Sequence, residues 1–211
     1  MNPPPESRLL TLADIEAAAE VLARAFFDDP LIDHMLPRKS SRMKPLMKFF
    51  RFYGEINIKN RRGYGVGEPL QGVAYWQSPG EEDISVSLKA LGKLLPLLLT
   101  RFPIGYYRAS RANGVIPQTD ALHKKHASKP HYYLDNLGVL PSAQGQGYSS
   151  RLIRPILARA DEQGVMVYTD TVTPANVPLY EHFGFEMVEE RRVAGTPITV
   201  FALLRAVRDR R

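Results

Sequence analysis

Leu134-Asp135-Asn136-Leu137-Gly138-Val139-Leu140-Pro141-Ser142-Ala143-Gln144-Gly145-Gln146-Gly147-Tyr148-Ser149-Ser150 decides how this chain folds. An extended apolar run enters a glycine-rich bend, and a helix-length segment leaves it. That order aims several backbone N–H groups at one spot, the usual way to hold a phosphate. A tight strand-to-helix connection alone would explain one glycine. It accounts poorly for Gly145 and Gly147 followed by Ser149 and Ser150.

Two common phosphate motifs do not fit. A Walker A loop needs Lys-Ser/Thr after its glycines, and none follows here. The dinucleotide fingerprint is approached by Gly145-x-Gly147-x-x-Ser150, with Asp170 near the acidic spacing. In that fold, however, the first glycine directly follows the strand, whereas Pro141-Ser142-Ala143-Gln144 intervenes here. Residues 171–211 are also too few for the second half of such a sheet.

At 211 residues the chain is read as one domain spanning 1–211, long enough to bury a core. Apolar residues make up 44 % and charged residues 24 %, the balance of a soluble globular protein. The apolar run Leu91–Leu99 is broken by Lys93 and Pro96 and falls short of the roughly 20 residues a membrane span needs. Met-Asn-Pro-Pro-Pro-Glu-Ser lacks the pattern of a secretion signal, so a cytoplasmic location and no membrane partner are expected. With no cysteine in the sequence, disulfides, thiolate metal sites and a cysteine acyl-enzyme are excluded. Five scattered histidines lack ligand spacing, so no metal is expected.

The net charge is +6, and Arg38, Lys39, Arg42, Lys44, Lys48 and Arg51 form a basic cluster. Met43, Leu46, Met47, Phe50 and Tyr53 recur at helical spacing through it. The basic residues are therefore read as the wet face of an amphipathic helix over 40–60, not as a nucleic-acid surface.

Punctuation by Gly and Pro divides the rest. Ser7–Ala13 reads as a strand and Asp14 as the cap of a helix that stops near Asp28-Asp29-Pro30. Residues 31–36 form a short helix. Tyr64–Val66 and Gly72–Gln77 make a hairpin around Gly67-Glu68-Pro69. Residues 84–101 and 103–127 read as helices, His131–Leu140 as a strand, 147–163 as a helix and Val165–Val172 as a strand. Pro174–Phe183 is a short helix, and strands near 185–193 and 197–204 close an α/β domain with a mixed sheet.

Gln144-Gly145-Gln146-Gly147-Tyr148-Ser149 resembles the Q/R-x-x-G-x-G/A signature of the GNAT superfamily of acyl-CoA-dependent N-acyltransferases. Leu137-Gly138-Val139-x-Pro141 looks like that family's central strand, and Asn176-Val177-Pro178-Leu179-Tyr180-x-x-x-Gly184-Phe185 like its second signature. The order of motifs, including Ala25-Phe26-Phe27-Asp28-Asp29-Pro30 and Gly72-Val73-Ala74-Tyr75-Trp76-Gln77-Ser78-Pro79, is similar to that of puromycin N-acetyltransferases. Ser149 departs from the pattern, which has Gly or Ala there.

The resemblance implies an α/β GNAT fold: a mixed, mostly antiparallel central sheet flanked by helices, with an extra helical insertion between strands. The cofactor-binding core would span about 131–192. It implies acetyl-CoA as acyl donor, with backbone contacts from Leu137, Gly138 and Val139 to the pantetheine arm. One of those N–H groups would face the thioester carbonyl. The N–H groups of Gln144, Gly145, Gln146, Gly147, Tyr148, Ser149 and Ser150 would hold the diphosphate, and Asn176 the cofactor arm, besides capping its helix.

Tyr180 is the implied donor to departing CoA. A thiol titrates near about 8.5 and a phenol near about 10, so full transfer is uphill by roughly 2 kcal/mol. Tyr180 is therefore read as a hydrogen-bond donor to the thiolate, or else as a core aromatic. Asp135, just ahead of the cofactor contacts, is the candidate base or ammonium anchor; His131 lies further up the strand, and His182 reads as surface. Phe27, Asp29, Trp76 and Tyr133 are candidates to line the acceptor pocket, with Trp76 equally readable as core; Tyr106 and Tyr107 fit either category. The expected partner is a small-molecule amine of antibiotic or nucleoside type, attacked directly in a ternary complex, and a homodimer is left open. A protein or peptide amine, or a non-catalytic acyl-CoA-binding regulator, is the alternative.

Overall fold

The computed structural model describes residues 7–81 and 114–207. The helix expected over 84–101 and the start of the one expected over 103–127 lie outside them, as do Tyr106 and Tyr107. Among the described residues the strands are β1 (Arg8–Leu9), β2 (Gly63–Val66), β3 (Gly72–Gln77), β4 (His131–Val139), β5 (Met166–Thr171), β6 (Glu186–Arg192) and β7 (Thr199–Arg205). The helices are α1 (Ile15–Ala25), α2 (Pro30–Met35), α3 (Lys39–Lys59), α4 (Val115–His126), α5 (Tyr148–Gln163) and α6 (Val177–His182).

The strands join in the order β1-β2-β3-β4-β5-β7-β6. All neighbours are antiparallel except β4 and β5. One face is covered by α1 and α3, through Leu22, Leu46, Phe50, Val73 and Tyr75. Further along that face α4 packs Val115 and Leu122 onto Tyr168, Val200 and Ala202. The opposite face is closed by α5 and α6, through Leu152, Ile153, Ile156 and Tyr180 against Ala74, Trp76, Leu134 and Val167. No helix among the described residues is long and apolar enough to cross a membrane.

Three local expectations are corrected. The opening strand holds only two residues, and Asp14 does not cap α1. Its carboxylate turns back to accept from the Thr11 amide (2.7 Å) and hydroxyl (2.9 Å) and from Arg8 (2.8 and 3.0 Å). Arg42 leaves the wet face of α3: it stands one turn before Leu46 on the buried stripe, and its side chain is 0 % exposed. Its guanidinium donates to the carbonyls of Phe27 (2.7 Å) and Leu36 (2.9 Å) and to Asp33 (2.7 Å). That spread of donors clamps the corner where α1, α2 and α3 meet.

Gly138 is fixed by packing. A Cβ there would lie 2.8 Å from Leu22 Cδ2 and 2.9 Å from Ala25 Cβ, because α1 crosses β4 at that point. Gly138→Ala should lower unfolding free energy by about 1–3 kcal/mol, the usual range for overpacking. Urea titration checks it; an unchanged midpoint would mean α1 yields freely.

Candidate active site

The bend after β4 forms as its glycines predict. Gly145 and Gly147 both have φ of +77°, the left-handed region where other residues are strained. A Cβ built on either meets no protein atom within 4 Å, so the loop borders open space. Gln144 and Gln146 brace it by donating to the carbonyls of Val139 (3.5 Å) and Ser142 (3.4 Å). α5 then starts at Tyr148 with no acidic residue in its first turn. The first amides of a helix lack internal acceptors and sit at the positive end of its dipole. Arg151, 4.9 Å from the Tyr148 ring centroid, adds positive charge nearby. Open space, free amides and positive potential fit a diphosphate, and Ser149 and Ser150 leave that geometry intact.

Between β4 and β5 the ladder runs from His131↔Met166 to Leu134↔Thr169 and stops there. β5 continues to pair with β7 as far as Thr171↔Phe201, while residues 136–139 of β4 keep pairing with β3. The two parallel strands therefore part, and the β5-facing edge at Leu137, Gly138 and Val139 has the form needed to accept an extended arm as a substitute strand.

Tyr180 stands at the fork. It is 6 % exposed, packs on Phe185, and its phenol meets the hydroxyl of Thr169. Thr169 in turn donates to the Leu134 carbonyl (2.9 Å), so one hydroxyl ties Tyr180 to the last paired residues. Burial pushes the Tyr180 phenol well above its ordinary value, and the nearby Asp170 charge adds to this. Such a phenol stays protonated, which suits a hydrogen-bond donor better than an acid. Asn176 precedes α6 but makes no side-chain cap; its amide donates to Thr171 Oγ1 (3.3 Å) at the end of β5.

The other side of the fork, beneath α1, α3 and α4, carries most of the residues expected to line an acceptor pocket. Register slips on β4: Tyr75 pairs Asn136 and Trp76 pairs Leu134, leaving Asp135 as a bulge. Bulges re-aim side chains, and here the carboxylate of Asp135 turns to α3, where it accepts from the Tyr53 hydroxyl. Tyr133, on the same face, donates to Asp170 (3.0 Å). Burial and the surrounding carboxylates raise the Tyr133 phenol well above its usual range.

Trp76 is not part of this face. It is 2 % exposed and packs with Leu134 and Tyr180 beneath α5 and α6. Alternation along β3 puts Tyr75 where Trp76 was expected. Asp29 stands at the rim with its carboxylate engaged by the protein: Oδ1 caps α2 through Leu31 (2.9 Å) and Ile32 (3.4 Å), and Oδ2 accepts from Thr173 (3.0 Å). Burial raises its pKa. Phe27 lies beside it, its ring 5.3 Å from the Arg42 guanidinium carbon. His131 pairs with His123 (2.6 Å between Nε2 atoms) at the far end of β4, and His182 is exposed. Nothing in the sequence marks Tyr53 beyond the apolar stripe of α3, and Asp170 is marked only by its position on the strand after the glycine helix. No group of three or more potential ligands among the described residues could hold a metal ion.

Comparison with known proteins agrees with this geometry. The model of the acetyltransferase (GNAT) family matches residues 87–185. An uncharacterized N-acetyltransferase of Schizosaccharomyces pombe is 31 % identical over 180 residues, covering 82 % of this chain and 70 % of the yeast protein. Among solved structures, a histone acetyltransferase HPA2-related acetyltransferase from Corynebacterium glutamicum superposes with TM-score 0.66 at 21 % identity, covering 99 % of each chain. Drosophila melanogaster polyamine N-acetyltransferase, which forms N-acetylagmatine, superposes with TM-score 0.60 at 15 % identity, covering 95 % of this chain and 99 % of that one. A seven-stranded sheet that forks after Leu134, a glycine bend before α5 and a yeast relative at this identity lead to one conclusion: the chain belongs to the GNAT family of acetyl-CoA-dependent N-acetyltransferases.

Proposed function

We propose that the protein acetylates a primary amine of a small molecule, with the amine attacking acetyl-CoA directly in a ternary complex. The observation that carries this reading is the placement of Asp135 and Tyr180 on opposite faces of the sheet at the point where β4 and β5 part. The thioester supplies an activated acetyl group. Everything else falls to the chain.

Asp135 holds the incoming ammonium and takes its proton, directly or through water, so that the nitrogen lone pair is free to attack. Tyr53 keeps that carboxylate in place. A β4 amide at Leu137, Gly138 or Val139 stabilises negative charge developing on the carbonyl oxygen. As the C–N bond forms and the C–S bond breaks, the Tyr180 hydroxyl donates to the departing sulfur. Tyr133, Phe27 and the aromatic side of α3 supply a wall for the acceptor's body. The polyamine acetyltransferase fold neighbour fits a small amine as the substrate class, although that likeness speaks to fold alone.

The test is thiol release from acetyl-CoA with a panel of amines, including puromycin, arylalkylamines and polyamines, for the wild type and Asp135→Asn. At least one small amine should be acetylated. The variant should lose about 100-fold in kcat/KM, within the range for a removed general base. Binding of acetyl-CoA with no transfer to any amine would instead make the protein a non-catalytic binder.

A further inference from the structure

One hydrogen bond joins the α1–α2 corner to the turn between β5 and α6. Asp29 Oδ2 accepts from the Thr173 hydroxyl (3.0 Å), 144 residues further along the chain. The corner end of this bond is firmly held. Oδ1 of the same carboxylate caps α2, and Arg42 ties the far end of α2 through the Leu36 carbonyl (2.9 Å) and Asp33 (2.7 Å). α2 also bridges two parts of the core: Ile32 packs with α1 and α3, while Leu31 packs on the group that holds Tyr168 and Val200.

Both ends of the bond depart from what local stability asks. Thr173 stands just before the short helical turn Pro174–Asn176, where a threonine hydroxyl ordinarily accepts from the following amides. It makes no such cap and gives its proton to Asp29 instead. The donors to Asp29, two amides and one hydroxyl, are all neutral. A serine would cap α2 about as well without drawing a charge out of water. The Thr173 end leads to the cofactor side of the fork. Its amide donates to Thr171 Oγ1 (3.2 Å), which also accepts from the Asn176 side chain (3.3 Å), and its carbonyl accepts from the Asn176 backbone N–H (2.9 Å). α6, with Tyr180, starts at the next residue, so Asp29 is the outer anchor of the turn that places it.

We propose that Asp29 is a positioning residue for Tyr180. Through Thr173 it fixes the turn that carries Asn176 and opens α6, so the corner on the acceptor side sets where the phenol meets the departing sulfur. Asp29 thereby has a task other than lining the acceptor pocket. This rests on the donor role given to Tyr180 above and extends it.

The experiment pairs Asp29→Ser, which keeps a cap on α2 but is too short to reach Thr173, with Thr173→Val, which keeps the shape of threonine without its hydroxyl. With an amine that the wild type acetylates, each should lower kcat by about tenfold, the scale of a slightly misplaced group at the reacting atoms. The double variant should lose no more than either alone, because both changes remove one bond. The KM for the amine should stay near the wild-type value, and Thr173→Ser, which keeps the hydroxyl, should restore kcat. In a Tyr180→Phe background Thr173→Val should have little further effect, which general loosening of the fold would not produce. Wild-type kcat in Thr173→Val, or the same loss with and without the Tyr180 hydroxyl, overturns the proposal while leaving the donor role of Tyr180 intact. A raised amine KM in Asp29→Ser with Thr173→Val unchanged overturns it too and makes Asp29 a pocket residue. Tyr180→Phe turning over at the wild-type rate, or acetyl-CoA binding without transfer to any amine of the panel, removes both.

Discussion

Gly147→Asp should raise the KM for acetyl-CoA by about 100-fold or more while the protein stays folded. Aspartate tolerates the left-handed backbone better than most residues and is favoured at the position before a helix. Gly147 occupies that position with φ of +77°, and a Cβ there touches nothing in the protein. The left-handed backbone costs about 1 kcal/mol for aspartate and asparagine alike, and the fold persists in both. The new carboxylate, however, stands where a diphosphate must sit. Two unit charges about 4 Å apart repel by about 4 kcal/mol at an effective dielectric of about 20, and partial screening leaves the roughly 2.7 kcal/mol that corresponds to 100-fold. Gly147→Asn, equal in shape but uncharged, should lose much less. Calorimetry with acetyl-CoA and a thermal melt make the comparison. Equal affinity in Gly147→Asp and wild type would move the diphosphate away from this loop.

The second large effect is expected at Tyr180. Tyr180→Phe should lower kcat by about 100-fold with acetyl-CoA affinity nearly unchanged, the pattern of an interaction made mainly in the transition state. The pH profile distinguishes the hydrogen-bond role from acid catalysis. Burial favours the neutral phenol, so its ionisation moves above the ordinary value of about 10. Between pH 7 and about 10 the hydroxyl remains a donor, and Tyr180 contributes no alkaline fall in kcat. The wild type and Tyr180→Phe should then share one profile shape at different heights. If the variant turns over at the wild-type rate, the phenol is a core aromatic only.

What the chain disclosed by itself follows from how local the signals are. The glycine bend, the strand before it and the helix after it are encoded within Leu134–Ser150, and backbone chirality at Gly145 and Gly147 makes that stretch nearly self-reading. Tyr180 lies in an equally compact motif, Asn176–Phe185. The acceptor side was less legible. Alternation on β3 says that Tyr75 and Trp76 face opposite ways, but which one meets Asp135 depends on a register slip opposite Tyr75 and Trp76. Tyr53 lies 82 residues from Asp135, and only the packing of α3 on the sheet unites them. Asp170 is marked in the sequence only by the acidic spacing of the dinucleotide fingerprint, which belongs to a fold this chain does not adopt, and by its place on the strand that becomes β5. Arg42 misled for another reason: a basic residue on an amphipathic helix is usually wet, and its carbonyl partners belong to a corner with no local signature.

Ion pairs such as Lys39–Asp28 and Arg51–Glu16 are open to solvent and weaken as ionic strength rises. The Arg42 bonds to the Phe27 and Leu36 carbonyls are shielded from mobile counterions, so the corner above the cleft keeps its shape in concentrated electrolyte. Turnover lost on adding potassium chloride would accordingly report weakened encounters of charged ligands, the diphosphate with its loop or an ammonium with Asp135, with the wall around them still standing.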